Sequence, residues 1–320
     1  VSADGENGRG VLVAYGHDNK VVIDGTVTAA GAGGDGVRFD FGSNSIGGNT
    51  EYRGSYLRYT RRVDENGNIT NSVNIPLNFV IERDSISDND LAGPMGSLIV
   101  NGKMYGRDHA VYIAKNAFVD KIEVNNGARI AGDIVSDWKH FDNGLYDGGW
   151  GENKDQGDKL FLQYSEEIHD YDKYHKDLVT ALNFKGNTEM QGNIIGSDNM
   201  KMTVNSGTLR HDGSADVVNV KVNQGATLLG KSYTVNDMSG RMAEGISDDT
   251  TGKFINHGTI GALNEDSKLS IDGTLESDGR LLAYSGGSAG YIEVSNAKLL
   301  VGSTADVVNA RPGDDVAVLK

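Results

Sequence analysis

The 320-residue chain has no cysteine, only three prolines and no long uncharged apolar run. Without cysteine there is no disulfide scaffold and no thiolate-ligated zinc or iron–sulfur centre. Without an apolar run of about 20 residues nothing spans a membrane as a helix, so direct membrane insertion is not expected. Basic side chains are also scarce, with 30 Lys and Arg against 45 Asp and Glu and a net charge of −15. Such a surface repels phosphate backbones, and the densest basic cluster, Arg58, Arg61 and Arg62, is too small to reverse that. Nucleic acid is therefore not an expected partner. Glycine is abundant instead, at 44 residues, about double the usual share. The chain starts at Val1 and stops in Val316-Ala317-Val318-Leu319-Lys320, which reads as the middle of a strand. It is taken as an excised or processed piece of something longer.

A short phrase recurs along the chain: alternating apolar residues, then Asn or Asp, then Gly, then another apolar alternation. Its compact form occupies Val21–Val27, Leu98–Met104 and Leu269–Leu275. An expanded form occupies Ile122–Ile130, Val220–Leu228, Ile255–Ile260 and Met202–Leu209. Each copy reads as strand, corner, strand. Alternation puts Ile122 and Val124 on one face and Lys121 and Glu123 on the other, and Asn and Gly supply the positive-φ positions of a tight bend.

Hairpins with Asn-Gly turns would produce the same phrase. A solenoid, stacking equivalent strands from successive coils, accounts for more. The alternating apolar positions are aliphatic with few aromatics, which suits a narrow interior. Proline is nearly absent, as interior strands need their N–H groups. The copies continue through most of the chain without any helical period. Gly207, Gly225, Gly258 and Gly273 are spaced by 18, 33 and 15 residues, so coil length must vary through loops at corners. The expected fold is an all-β, right-handed parallel β-helix over residues 1–320, with about 11 to 14 coils and a length of roughly 55–65 Å at one strand spacing per coil.

Two segments interrupt the pattern. Residues 43–96 carry the Tyr/Arg-rich stretch Glu51–Tyr59 and an acidic run with Asp84, Asp88 and Asp90. Residues 137–180 hold both tryptophans, and Ser165–Leu182 within and just beyond that segment could make a short helix. Each is too short to bury a core alone, so both are expected to be excursions from the coils.

Gly36–Gly42, Glu51–Tyr56, His109–Ile113, Gly132–Trp138 and Gly225–Leu228 together resemble the passenger region of bacterial autotransporters. They are most similar to the part that follows the peptidase domain in subtilase-type members. The likeness covers most of residues 10–235. It implies a right-handed β-helical stalk, secreted or held at the bacterial surface after export through the outer membrane, and the lack of cysteine suits that route. Implied partners are the protein's own upstream functional domain and an outer-membrane β-barrel translocator. An adhesive reading adds a host surface protein or glycan.

Motifs that mimic chemistry read more simply as scaffold. Asn256-His257-Gly258-Thr259 is a repeat corner without the Asp and Ser motifs of a subtilase. Gly286–Gly290 matches Gly-x-Ser-x-Gly without the helix that an elbow needs. Gly33–Arg38 resembles a calcium-binding nonapeptide, but Arg38 stands where a ligand carboxylate belongs, so it reads as a loop. Asp64–Asn68 reads as a turn. His109, His140, His169, His175 and His211 lack metal-ligand spacing and are read as solvated side chains. Neither cofactor nor metal is expected, and the chain is read as a non-enzyme.

The sharpest binding candidate is 137–180, where Trp138, Tyr146 and Trp150, with His140 and Phe141, interleave with Asp142 and Glu152, Asp147, Asp155 and Asp158. Aromatic faces and carboxylates suit sugar rings and their hydroxyls, and a carboxylate pair at the right separation could cleave a glycosidic bond. The plainer reading has the aromatics pin the loop to the coil. Stalk, adhesin and polysaccharide-acting β-helix enzyme are thus the three readings, in that order.

Overall fold

The fold is seen in a computed structural model that describes residues 1–14, 18–40, 44–46, 50–52, 62–63, 69–70, 95–114, 117–137, 179–237 and 251–320. Among them there is no helix. The chain opens with β1 (Arg9–Val13), β2 (Asn19–Ile23), β3 (Thr26–Ala29) and β4 (Asp35–Phe39). β5 (Asn44–Ile46) pairs antiparallel with β6 (Thr50–Tyr52), and β7 (Arg62–Val63) with β8 (Ile69–Thr70). β9 (Gly96–Val100), β10 (Lys103–Ile113), β11 (Val119–Val124) and β12 (Arg129–Ser136) follow. Next come β13 (Thr180–Lys185), β14 (Thr188–Gln191), β15 (Ile194–Asp212), β16 (Ser214–Val222), β17 (Ala226–Gly230) and β18 (Ser232–Val235). The chain finishes with β19 (Lys253–Asn256), β20 (Thr259–Ala262), β21 (Leu269–Ser277), β22 (Arg280–Tyr284), β23 (Ile292–Leu299) and β24 (Thr304–Val308).

All of these except β5–β8 belong to one 20-stranded sheet, and its pairings are parallel. They resolve into three ladders. The first runs β1, β4, β10, β12, β15, β16, β18, β21, β23. The second runs β2, β9, β11, β13, β15, β16, β19, β21, β23. The third runs β3, β10, β12, β14, β15, β17, β20, β22, β24. Long strands bend at corners, so that β10 serves two ladders and β15 all three. This pairing is consistent with a solenoid.

Each ladder is nine strands deep, which at about 4.8 Å per step spans about 38 Å. Among the described residues, single parallel bridges at Ser2–Thr28 and Ile292–Leu319 add one step at either end of the stack, which leaves it short of the expected 11 to 14 coils and 55–65 Å. Some coils spend more residues than anticipated: successive strands of the first ladder pair Arg9 with Asp35 but Asp35 with His109. The chain end also differs from expectation. Leu319 makes a single parallel bridge to Ile292, and 316–320 is not otherwise strand.

Alternation sets the interior. Leu98, Ile122, Leu182, Met202, Val220, Phe254 and Leu275 are in register on the second ladder and fully buried. Burial of each such side chain stabilises by about 1.5–3 kcal/mol. Ile122 and Val124 point in and Lys121 and Glu123 out, as the alternation predicts, with Lys185 of the next rung donating to Glu123 at 2.9 Å. The core includes aromatics as well: Phe39, Phe184, Tyr233 and Phe254 are among its largest buried side chains. Tyr233 fits because the residue beside it in register is Ala215.

Six of the seven recurring phrases fall at one corner, between the second and third ladders. Leu269–Leu275 falls instead at the corner between the first and second. Their Asn and Asp residues stack from rung to rung: Asn101 donates to Asp24 at 2.6 Å and Asn125 to Asn101 at 2.7 Å. Higher up, Asn205 donates to Asn183 and Asn223 to Asn205. Gly127, Gly207, Gly225 and Gly273 have positive φ; Gly25, Gly102 and Gly258 do not. Gly102 is required for another reason, since a Cβ there would lie 1.9 Å from the Gly25 carbonyl oxygen one rung away.

The expected helix over Ser165–Leu182 is corrected at its end: Thr180–Leu182 lie in β13, where Leu182 is fully buried between Ile122 and Met202. Residues 165–178 lie outside the described residues. Gly33–Arg38 is not a free loop either, because Asp35–Phe39 is a strand of the first ladder.

Candidate functional site

Trp138, Tyr146, Trp150, Asp142 and Glu152 all lie outside the described residues, as do His140, His169 and His175. What the structure does place is the ground from which that segment departs. Residues 41–43 follow Asp40, and Trp138 follows Asp137. Both aspartates belong to one polar cluster on the first ladder.

The cluster follows from register. Asp35 of β4 stands beside His109 of β10, and Arg38 beside Tyr112. The Asp35 carboxylate is 2% exposed and is held on both oxygens. His109 Nδ1 lies 2.8 Å from Oδ1 and Arg38 Nη1 donates to Oδ2 at 2.8 Å. The rest of the Arg38 fork, Nε and Nη2, donates to Asp40 Oδ2 at 2.9 and 2.7 Å. Its guanidinium lies 4.4 Å from the centre of the Tyr112 ring, a cation–π distance. The Tyr112 hydroxyl in turn donates to Asp137 Oδ2 at 2.5 Å.

Burial alone would raise the Asp35 carboxyl, but the hydrogen bonds from His109 and Arg38 prevail and hold it below the ordinary carboxylate range. The hydrogen bond to Asp35 raises His109 above its ordinary 6.5, against the opposing effect of burial. Burial, reinforced by Asp137, raises the Tyr112 phenol. A carboxylate orienting an imidazole is half of a nucleophile-activating arrangement. Among the described residues no hydroxyl completes it on the other ring nitrogen. The network instead braces Asp40 and Asp137, the two departure points, against the ladder.

Asp35→Asn is expected to destabilise the chain by about 2 kcal/mol, since charge-assisted hydrogen bonds to a buried carboxylate are lost. His109 should move down toward 6.5. Urea titration and imidazole NMR read the two effects. The sign with pH is fixed: a histidine raised by its partner stabilises below its unfolded value, and that contribution is lost as pH rises through the folded value.

An open concavity of about 620 Å³ is lined by Lys221, Asn223, Gln224, His257, Asp278 and Val301. His257 Nδ1 is 2.8 Å from Asp278 Oδ1, with both side chains 39% exposed. The His-Gly-Thr mimic is thus a corner, as read from sequence, with His257 exposed and Gly258 buried. Among the described residues no group of three or more His, Asp or Glu is arranged to hold a metal ion.

The histidines correct one expectation. His109 is half-buried in the cluster, and His211 is fully buried in the core, so neither is a solvated side chain. For the first, the sequence shows only that Arg38 stands near Asp35 and Asp40; His109 joins them through the register of β4 with β10. Alternation puts His211 on the inner face with Leu209, and its partners Gly192 and Tyr233 come from neighbouring rungs. No family model, curated protein or solved structure matches the chain.

Proposed function

We propose that the chain is a right-handed parallel β-helix serving as the passenger stalk of a secreted or surface-displayed autotransporter, without enzymatic activity of its own. The observation that carries this reading is the three parallel ladders with buried, largely apolar columns inside. Such a scaffold gains stability from each neighbouring rung and holds whatever is attached to it at a fixed distance. The partners under this reading are an upstream functional domain and an outer-membrane β-barrel translocator. The test places the chain between a reporter domain and such a barrel in a Gram-negative host. Protease-accessible reporter at the cell surface is expected; reporter retained in the periplasm would overturn the reading.

The cluster at Asp35, Arg38, Asp40, His109, Tyr112 and Asp137 favours a second reading, an adhesin that presents the two excursions to a host protein or glycan. A rigid base under both departure points is what a presented binding loop needs. Trp138, Tyr146, Trp150, Asp142 and Glu152 are its proposed contact residues. Binding on a glycan or host-protein array that is lost with Trp150→Ala would support the adhesin, and silence on both would leave the stalk.

A further inference from the structure

The core between the 188–213 and 226–256 rungs holds one imidazole. His211, at the end of β15, is fully buried. Its Nε2 is 2.9 Å from the carbonyl oxygen of Gly192 and its Nδ1 is 2.8 Å from the Tyr233 hydroxyl. A carbonyl only accepts, so Nε2 carries the hydrogen. Nδ1 then accepts from the Tyr233 O–H, and the neutral ring is satisfied on both sides. Tyr233 is itself fully buried and packs edge-on against Phe254 at 5.5 Å.

The walls leave no room for adjustment. A Cβ at Gly230 would come within 2.6 Å of the Tyr233 oxygen, and one at Gly213 within 3.0 Å of His211 Nε2. Each packed element can be checked for charge. β14 offers Met190 in register, while its Glu189 pairs outward with Arg129. The β14–β15 turn offers the Gly192 carbonyl. β18 offers Tyr233, and β19 offers Phe254. Along β15 itself, Asp212 is engaged by Lys231 at 2.5 Å and Arg210 reaches the Leu263 carbonyl. A second proton on His211 would therefore turn Nδ1 into a donor facing the Tyr233 hydroxyl, whose own hydrogen would lose its acceptor. It would also add an unpaired charge to an apolar core.

We propose that His211 is an acid-operated joint in the stack, at which uptake of one proton separates the His211 rung from the neighbouring Tyr233 rung while the other rungs stay closed. Burial lowers the imidazole from 6.5 to about 4. The unfolded segment therefore binds the proton between those values and the folded one does not, so stability falls as pH drops from 6.5 toward 4. Local opening follows because solenoid rungs are held by nearest neighbours.

Hydrogen exchange of the full chain, corrected for intrinsic rates, tests this at pH 7.4 and 5.0. Peptides within 188–213 and 226–256 should lose protection about 30-fold at pH 5.0, the factor set by values of 6.5 and about 4. Peptides within 98–124 should hold. His211→Phe should abolish the difference, and should it fail to fold, His211→Phe with Tyr233→Phe removes the stranded hydroxyl and carries the same test. Imidazole NMR of the unaltered chain gives an independent reading, with the His211 resonances unmoved until about pH 4. Uniform loss of protection, no loss, a pH effect that persists in the variants, or titration of the folded imidazole near 6.5 would each overturn the proposal.

Discussion

Replacing Gly192 by valine is expected to destabilise the chain by roughly 4 kcal/mol, combining about 1–3 for a strained backbone with about 1–3 for overpacking. Gly192 has φ +130°, and a Cβ there would lie 2.5 Å from the Gly132 carbonyl oxygen. The obstacle is backbone, which cannot turn aside as a side chain does. The site is also part of a column. A Cβ at Gly132 would meet the Gly106 oxygen at 2.3 Å, and one at Gly213 would meet the Gly192 oxygen at 1.9 Å. Four consecutive rungs thus approach through bare backbone at the corner between the third and first ladders.

Gly127→Ala supplies the control. Gly127 shares the positive φ, at +85°, but a Cβ there meets nothing within 4 Å. It should cost about 1 kcal/mol from conformation alone. Urea midpoints of the two variants separate strain from contact, and equal losses would mean that the rungs do not stack at this corner.

Phe184→Ala carries the other large effect, about 3–5 kcal/mol. Phe184 is fully buried and sits in register between Val124 and Val204 on the second ladder. Its neighbours are β-branched and stiff, and strands fixed by hydrogen bonds on both sides cannot collapse into the space. The cavity therefore persists, and the loss exceeds simple transfer. Nearest-neighbour coupling adds a positional expectation: exchange should rise first in 119–124 and 200–206, the adjoining rungs. Measured by urea unfolding with exchange, a loss under about 1 kcal/mol would place Phe184 outside the interior.

Parallel strands and their inner faces were legible because they depend on alternation and punctuation, which are local. Ile122 and Val124 against Lys121 and Glu123 is such a case, and so are the corners at Asn101, Asn125, Asn205 and Asn223. The coil Leu182-Asn183-Phe184-Lys185-Gly186 escaped the repeat because Lys185 stands where the phrase carries Asn, although Gly186 has positive φ, +77°. Rung count was not legible, since nothing local says how many residues leave the ladder between β4 and β9. His211 and the Asp35 cluster were missed for a related reason. The partners of His211 and His109 lie 19 to 74 residues away, and only register, a long-range property, brings them together.

The absence of cysteine permits clean double spin-labelling, and this bears most directly on the ladders. Lys20 and Lys253 share the outward row of the second ladder. Six steps separate them, through β9, β11, β13, β15 and β16 to β19. Pulsed electron–electron resonance on Lys20→Cys/Lys253→Cys should give a narrow distribution near 29 Å, and Lys20→Cys/Lys201→Cys, four steps apart, one near 19 Å, at about 4.8 Å per step. Distances that do not grow by a constant increment per rung, or a broad distribution for either pair, would contradict a chain stacked in parallel register.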